Sequence, residues 1–81
     1  MDLNIKLTTV KTGTLGHTVY QYFQNNKKKT TIEITLTKGK IELETENIER
    51  INFYKNSIII IYKDRTQQFV NLLNVTQILW E

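Results

Sequence analysis

The chain has no cysteine, no proline and no alanine, and it has three glycines, one histidine and one serine. Without cysteine, disulfides, thiolate metal sites and cysteine nucleophiles are excluded, and the core of these 81 residues must hold by packing alone. A chain this short supports one core and hence one domain. No run of 18 apolar residues occurs, and Met1 to Val10 alternates where an export signal would be continuously apolar. Neither membrane spanning nor export is expected, and the expected location is the cytoplasm.

Catalytic groups are equally scarce. One imidazole, His17, cannot build a histidine metal site, and the lone Ser57 and His17 read as a strand-end serine and a loop histidine rather than parts of a triad. Glu42, Glu44 and Glu46 share one face of one strand, about 7 Å apart, and lack the contrasting environments that a general acid and base require. The glycines form no phosphate-binding pattern. No enzymatic activity, cofactor or metal is expected.

What the chain does have is β-branched residues: 11 Ile, 12 Thr and 4 Val make up a third of it. These side chains lose χ1 freedom in helices and pack well on pleated surfaces. The fold expected is all-β: six to seven antiparallel strands in a meander, forming a compact sandwich or partly open barrel. One short helix is allowed near 17–26. Asn4 to Val10 reads as a first strand with Ile5 and Leu7 on one face. Thr18 to Gln24 reads either as a strand or as a helix capped by a Thr18/Gln21 box, and the Val, Tyr and Phe content favours strand. Ile32, Ile34, Leu36, Ile41 and Leu43 form one face of a hairpin. A two-residue turn at Lys38-Gly39, setting Leu36 against Ile41, keeps that face intact. Glu33, Glu42, Glu44 and threonines occupy the other, solvated face. Ser57 to Tyr62 is apolar on both sides, so its four isoleucines need cover on both faces, from this chain or from another. Lys63 to Thr66 turns the chain into a strand that places Phe69 near Ile60, and Val75 to Trp80 forms the last strand.

A repeat organises the second half. Asn47-Ile48-x-x-Ile51-x-Phe53 recurs as Asn74-Val75-x-x-Ile78-x-Trp80, and the same offset of 27 residues carries Ile32 and Ile34 onto Ile59 and Ile61, and Lys38 onto Arg65. Residues 30–53 and 57–80 are expected to be two copies of one unit, each a three-stranded meander, packed face to face.

With chemistry excluded, binding remains. The expected function is a non-catalytic protein-binding module, an accessory or inhibitory protein of a phage or other mobile element, occupying a partner protein's surface and able to pair as a homodimer. The abundance of Ile, Lys and Asn, with no Ala, fits the AT-rich genomes in which such elements are common. Trp80 is the expected anchor. The alternative is a small barrel that binds single-stranded nucleic acid, with Lys27, Lys28 and Lys29 on phosphates and Tyr20 and Tyr22 stacking bases. A net charge of +3 and a pI near 9.3 invite that reading. No motif specific to a family is present.

Overall fold

The structure, a computed structural model, describes residues 5–25 and 30–81. Its elements are β1 (Lys6–Leu7), α1 (Leu15–Gln24), β2 (Thr31–Leu36), β3 (Gly39–Glu44), β4 (Ile48–Phe53), β5 (Ser57–Tyr62), β6 (Gln67–Asn71) and β7 (Val75–Trp80). Two 3-10 turns, Thr45–Asn47 and Leu72–Asn74, lead into β4 and β7. The fold is all-β with one short helix. No helix among the described residues is long and apolar enough to cross a membrane.

Two sheets form, ordered β3-β2-β7 and β1-β4-β5-β6. The third strand of each half therefore pairs with the hairpin of the other half: β4 lies against β5, and β7 against β2. The two three-stranded meanders expected from the sequence are replaced by an exchange of third strands. The 3-10 turns explain the change, because each turns the chain a corner out of one sheet and into the other.

The two halves match bond for bond. Lys63 N–H donates to Asn47 O at the turn of one hairpin, and Thr37 N–H donates to Asn74 O at the turn of the other, both at 2.9 Å. Thr45 N–H donates to Thr30 O as Leu72 N–H does to Asn56 O, again both at 2.9 Å. Each hairpin tip is thus held by the other half's corner, and each corner by the start of a hairpin. The β4–β5 ladder slips between Ile48 and Arg50, and the β2–β7 ladder slips at the corresponding place, between Thr35 and Leu36. Such a bulge sharpens strand twist and lets a sheet curl.

The hairpin registers correct the expected offset. β2 and β5 correspond at 26 residues, so Ile32 falls on Ile58 and Ile34 on Ile60, all four fully buried. The second hairpin turns through three residues, Lys63-Asp64-Arg65, where the first turns through two, and beyond that turn the offset becomes 27. The first hairpin turns at Thr37-Lys38, setting Leu36 against Gly39 and Ile34 against Ile41. This register sits two residues from the expected one and keeps the same apolar face, because side chains alternate with period two. Phe69 pairs with Ile59, not Ile60.

Residues 15–24 are a helix, which corrects the strand expected over Thr18 to Gln24. Gly16, Val19, Tyr20 and Phe23 fall at i, i+3, i+4 and i+7, one helical face, and that stripe overrides the sheet preference of Val, Tyr and Phe. The cap is Thr14, whose Oγ1 accepts from His17 N–H at 3.2 Å, instead of the Thr18/Gln21 box. Gly16 permits the docking: a Cβ there would overlap the carbonyl oxygen of Tyr54, and its N–H donates to Lys55 O. At the other end of the helix, Phe23 lies 6.1 Å from Phe53 and 5.2 Å from Trp80, ring centre to ring centre. Phe53 and Trp80 are equivalent residues of the two halves, so the helix closes the core where the exchanged strands end.

The first strand is shorter than expected, and Asn4 lies outside the described residues. β1 runs parallel to β4, with Lys6 beside Arg50 and Leu7 beside Ile51. Thr8 completes the contact: its Oγ1 accepts from Phe53 N–H at 3.0 Å. At the equivalent point of the other sheet, Trp80 N–H donates to the Tyr22 hydroxyl at 2.8 Å.

Candidate protein-docking face

Because the ladder registers of the halves correspond, each outward ladder position of one sheet has a counterpart in the other. Glu33 on β2 faces Glu42 on β3 and Leu79 on β7. The counterpart Ile59 on β5 faces Phe69 on β6 and Asn52 on β4. Thr35 and Lys40 correspond to Ile61 and Gln67, Glu44 at the end of its ladder corresponds to Asn71, and beyond the ladders Glu46 corresponds to Leu73. Four carboxylates of the first half are thus replaced in the second by Ile59, Phe69, Asn71 and Leu73. On the first sheet Lys40 bridges Glu33 at 3.6 Å and Glu42 at 3.4 Å. On the second sheet Phe69 is 64% exposed and Ile59 and Ile61 are half-buried, and Leu73, in the 3-10 turn after β6, is 66% exposed.

Ile58 and Ile60 are completely buried in the core. The expectation that all four isoleucines are covered on both faces is therefore met on the inner face only. The one helix closes the end of the core, with Phe23 against Phe53 and Trp80. What remains outward is an apolar strip of Ile59, Ile61 and Phe69, with Phe69 exposed and the two isoleucines half-buried.

Charge divides in the same way. The β1-β4-β5-β6 sheet with its turns carries Lys6, Arg50, Lys55, Lys63 and Arg65 against Glu49 and Asp64. The β3-β2-β7 sheet with its turn and Glu81 carries Lys38 and Lys40 against Glu33, Glu42, Glu44 and Glu81. One sheet is net positive around an apolar centre; the other is net negative and polar.

The residues expected from sequence to bind do not gather on this face. Trp80 is 5% exposed and packs against Phe23, so its ring serves the core. Tyr20 is half-buried, its ring edge-on to Phe53 at 5.5 Å, and the Tyr22 ring lies 5.6 Å from Phe23. Both tyrosines ride on α1 and are held by core rings. Lys27, Lys28 and Lys29 lie outside the described residues. Sequence reasoning missed Ile59 and Ile61 as outward neighbours of Phe69 and Leu73 because it aligned β2 and β5 one residue out of step. At the correct offset, Glu33 against Ile59 and Glu42 against Phe69 are readable from the sequence.

A cleft of about 490 Å³ opens between β3 and the β5–β6 turn, lined by Glu42, Glu44, Asn47, Tyr62, Lys63 and Asp64 among others. Several of its polar groups are engaged by neighbours. Burial, and then the Asp64 charge, raise the Tyr62 pKa above the ordinary tyrosine value, and its hydroxyl donates to Gln68 Oε1 at 2.8 Å. Asp64 accepts from the Thr66 hydroxyl at 2.6 Å and from Thr66 N–H at 3.0 Å, which lowers its pKa. Glu42 is paired with Lys40. No nucleophile stands beside a base here. Among the described residues, no group of three His, Asp or Glu side chains is placed to hold a metal ion. Comparison of the chain with protein-family models, curated proteins and solved structures finds no match.

Proposed function

We propose that this protein is a non-catalytic binding module that acts by laying the outward face of its β1-β4-β5-β6 sheet on another protein. The observation that carries the reading is the substitution of Ile59, Phe69 and Leu73 for Glu33, Glu42 and Glu46 on a matching backbone. The fold does not require apolar residues at those outward positions, because the other half carries carboxylates there. Exposed apolar groups without a folding role mark contact surfaces. An accessory or inhibitory role in a phage or other mobile element fits a small chain with one such surface and an AT-rich composition.

The test is capture from the native host lysate with the wild-type chain and with the double variant Ile59→Glu/Phe69→Glu. The wild type retains a specific protein and the double variant releases it. Equal capture by both would remove this face from the function. Nucleic-acid binding is the rival: replacing Lys27, Lys28 and Lys29 with glutamine would abolish retention of single-stranded oligonucleotides, and retention would fall steeply with salt.

A further inference from the structure

Resting on that reading, we infer that the occupant of the face is an amphipathic helix of a partner protein, with an apolar stripe bordered by carboxylates. Charge is the first argument. The strip of Ile59, Ile61 and Phe69 is flanked by Lys6 and Arg50 along one side. Lys55 lies in the turn before β5, and Lys63 and Arg65 in the turn after it. Of the carboxylates in this region, Asp64 is already engaged by Thr66, and Glu49 sits in the β4 bulge. A surface with this margin selects an acidic border, and desolvation at the centre selects an apolar one.

Area is the second argument. Three strands about 4.8 Å apart and about 20 Å long, with the two-residue β1 beside them, present roughly 300 Å² in plan, well below the about 800 Å² per partner that a stable protein interface buries. A second copy placed on this flat face would fall short on area and would set the cationic margin against itself. A helix suits the dimensions: about 13 residues span 20 Å, and a helix is the layer that ordinarily covers an open sheet face.

The experiment uses the full ¹⁵N-labelled chain and two synthetic helical peptides of about four turns. Both peptides carry the same leucine stripe, bordered by glutamates in one and by lysines in the other, and the chain alone is run in the analytical ultracentrifuge. The expected result is that the glutamate peptide shifts the amide resonances of β5 and β6. It should bind at least about tenfold more tightly than the lysine peptide and weaken several-fold in high salt. Ile59→Glu/Phe69→Glu should lose at least about tenfold in affinity while its spectrum stays dispersed. Equal binding of both peptides at β5 and β6 would overturn the acidic helix and leave the docking face standing. A concentration-dependent dimer abolished by the double variant would do the same, and would name a second copy as occupant. Shifts confined to other elements, or none in any arm, would overturn the inference and the docking face together.

Discussion

The two halves of this protein share strand order, corner hydrogen bonds and bulge positions, yet they treat their outer surfaces in opposite ways. Inside, Ile32 and Ile34 match Ile58 and Ile60, and all four are fully buried. Outside, Glu33 and Glu42 match Ile59 and Phe69. Agreement where the side chains face the core, and divergence where they face solvent, separates what the backbone demands from what it merely tolerates. Each buried isoleucine contributes about 1.5–3 kcal/mol, so the shared inner set accounts for much of the fold. The differing outer set is left available for function.

The strongest way to break the comparison is to remove what the halves hold in common. Phe23 touches Phe53 from one half and Trp80 from the other. Phe23→Ala should cost about 3–5 kcal/mol in denaturant unfolding. Gly16→Ala should also destabilise strongly, because the added methyl overlaps the Tyr54 carbonyl and lifts the helix away. A loss below about 1 kcal/mol for Phe23→Ala, the size typical of changes outside a core, would mean that the halves hold together without the helix.

Next in size is a matched pair. Ile34→Ala and Ile60→Ala should each cost about 2–5 kcal/mol and agree with one another more closely than either agrees with a substitution at Ile61. Their neighbours correspond, Ile41 and Ile78 around Ile34, Gln68 and Ile51 around Ile60. A markedly cheaper Ile60→Ala would trace to Gln68, the one neighbour that is not apolar.

How far these features could be read from the sequence depends on the range of the interaction behind each. Alternation in Thr31–Leu36 and Gly39–Glu44 is local and marks its strands without ambiguity, as does the unbroken Ile58 to Ile61. The helix was obscured because Val19, Tyr22 and Phe23 suit a sheet, and Gly16, the residue that completes the helical stripe, reads as a turn signal. The third-strand exchange rests on hydrogen bonds between residues far apart, such as Lys63 to Asn47 and Thr37 to Asn74, which periodicity along one strand does not register. The docking strip depended on the offset, and a single extra residue in the Lys63-Asp64-Arg65 turn moved Ile59 from the partner of Glu33 to the apparent partner of Ile32. Trp80 suggested an anchor by residue type; its core position follows from its match to Phe53.

A sharper test exchanges the surfaces. Ile59→Glu/Phe69→Glu/Gln67→Lys writes the Glu33, Glu42 and Lys40 arrangement onto the second sheet. Since Lys40 bridges both glutamates on the first sheet, the triple variant should stay within about 1 kcal/mol of the wild type, the scale of exposed ion pairs. The double variant without the lysine should be the less stable of the two, because its glutamates face each other unrelieved. Unfolding of the triple variant at wild-type conditions would show that the apolar strip serves the fold, and the equivalence of the outer faces would fail.

The hairpin turns offer a smaller contrast. Each hairpin turn has one residue with positive φ, Gly39 at 148° in the first and Arg65 at 75° in the second. Arg65 carries a left-handed conformation that costs an L residue about 1–2 kcal/mol. Arg65→Gly should therefore stabilise the protein by about 0.5–1 kcal/mol, whereas Gly39→Ala should destabilise it. A loss of stability on Arg65→Gly would mean that the arginine side chain contributes more than its backbone strain removes.

The smallest expected effect concerns acid. Asp64 matches Lys38 in the other turn, and hydrogen bonds from the Thr66 hydroxyl and amide hold its pKa below the ordinary 3.8. A carboxylate lowered in the folded state contributes stability that is complete at neutral pH. That contribution fades as the pH falls past the unfolded value and is gone below the folded one. The other turn has no carboxylate at that place, so acid should loosen one hairpin and not its counterpart. Amide exchange at Tyr62 and Thr66 should accelerate below the ordinary carboxylate value relative to Leu36 and Thr37, and Asp64→Asn should remove the difference. Because Asp64 lies at the surface, the change belongs to the turn and leaves the global unfolding midpoint nearly still; a matching acceleration at Thr37 would instead show that the two hairpin tips open together through the corners that clasp them.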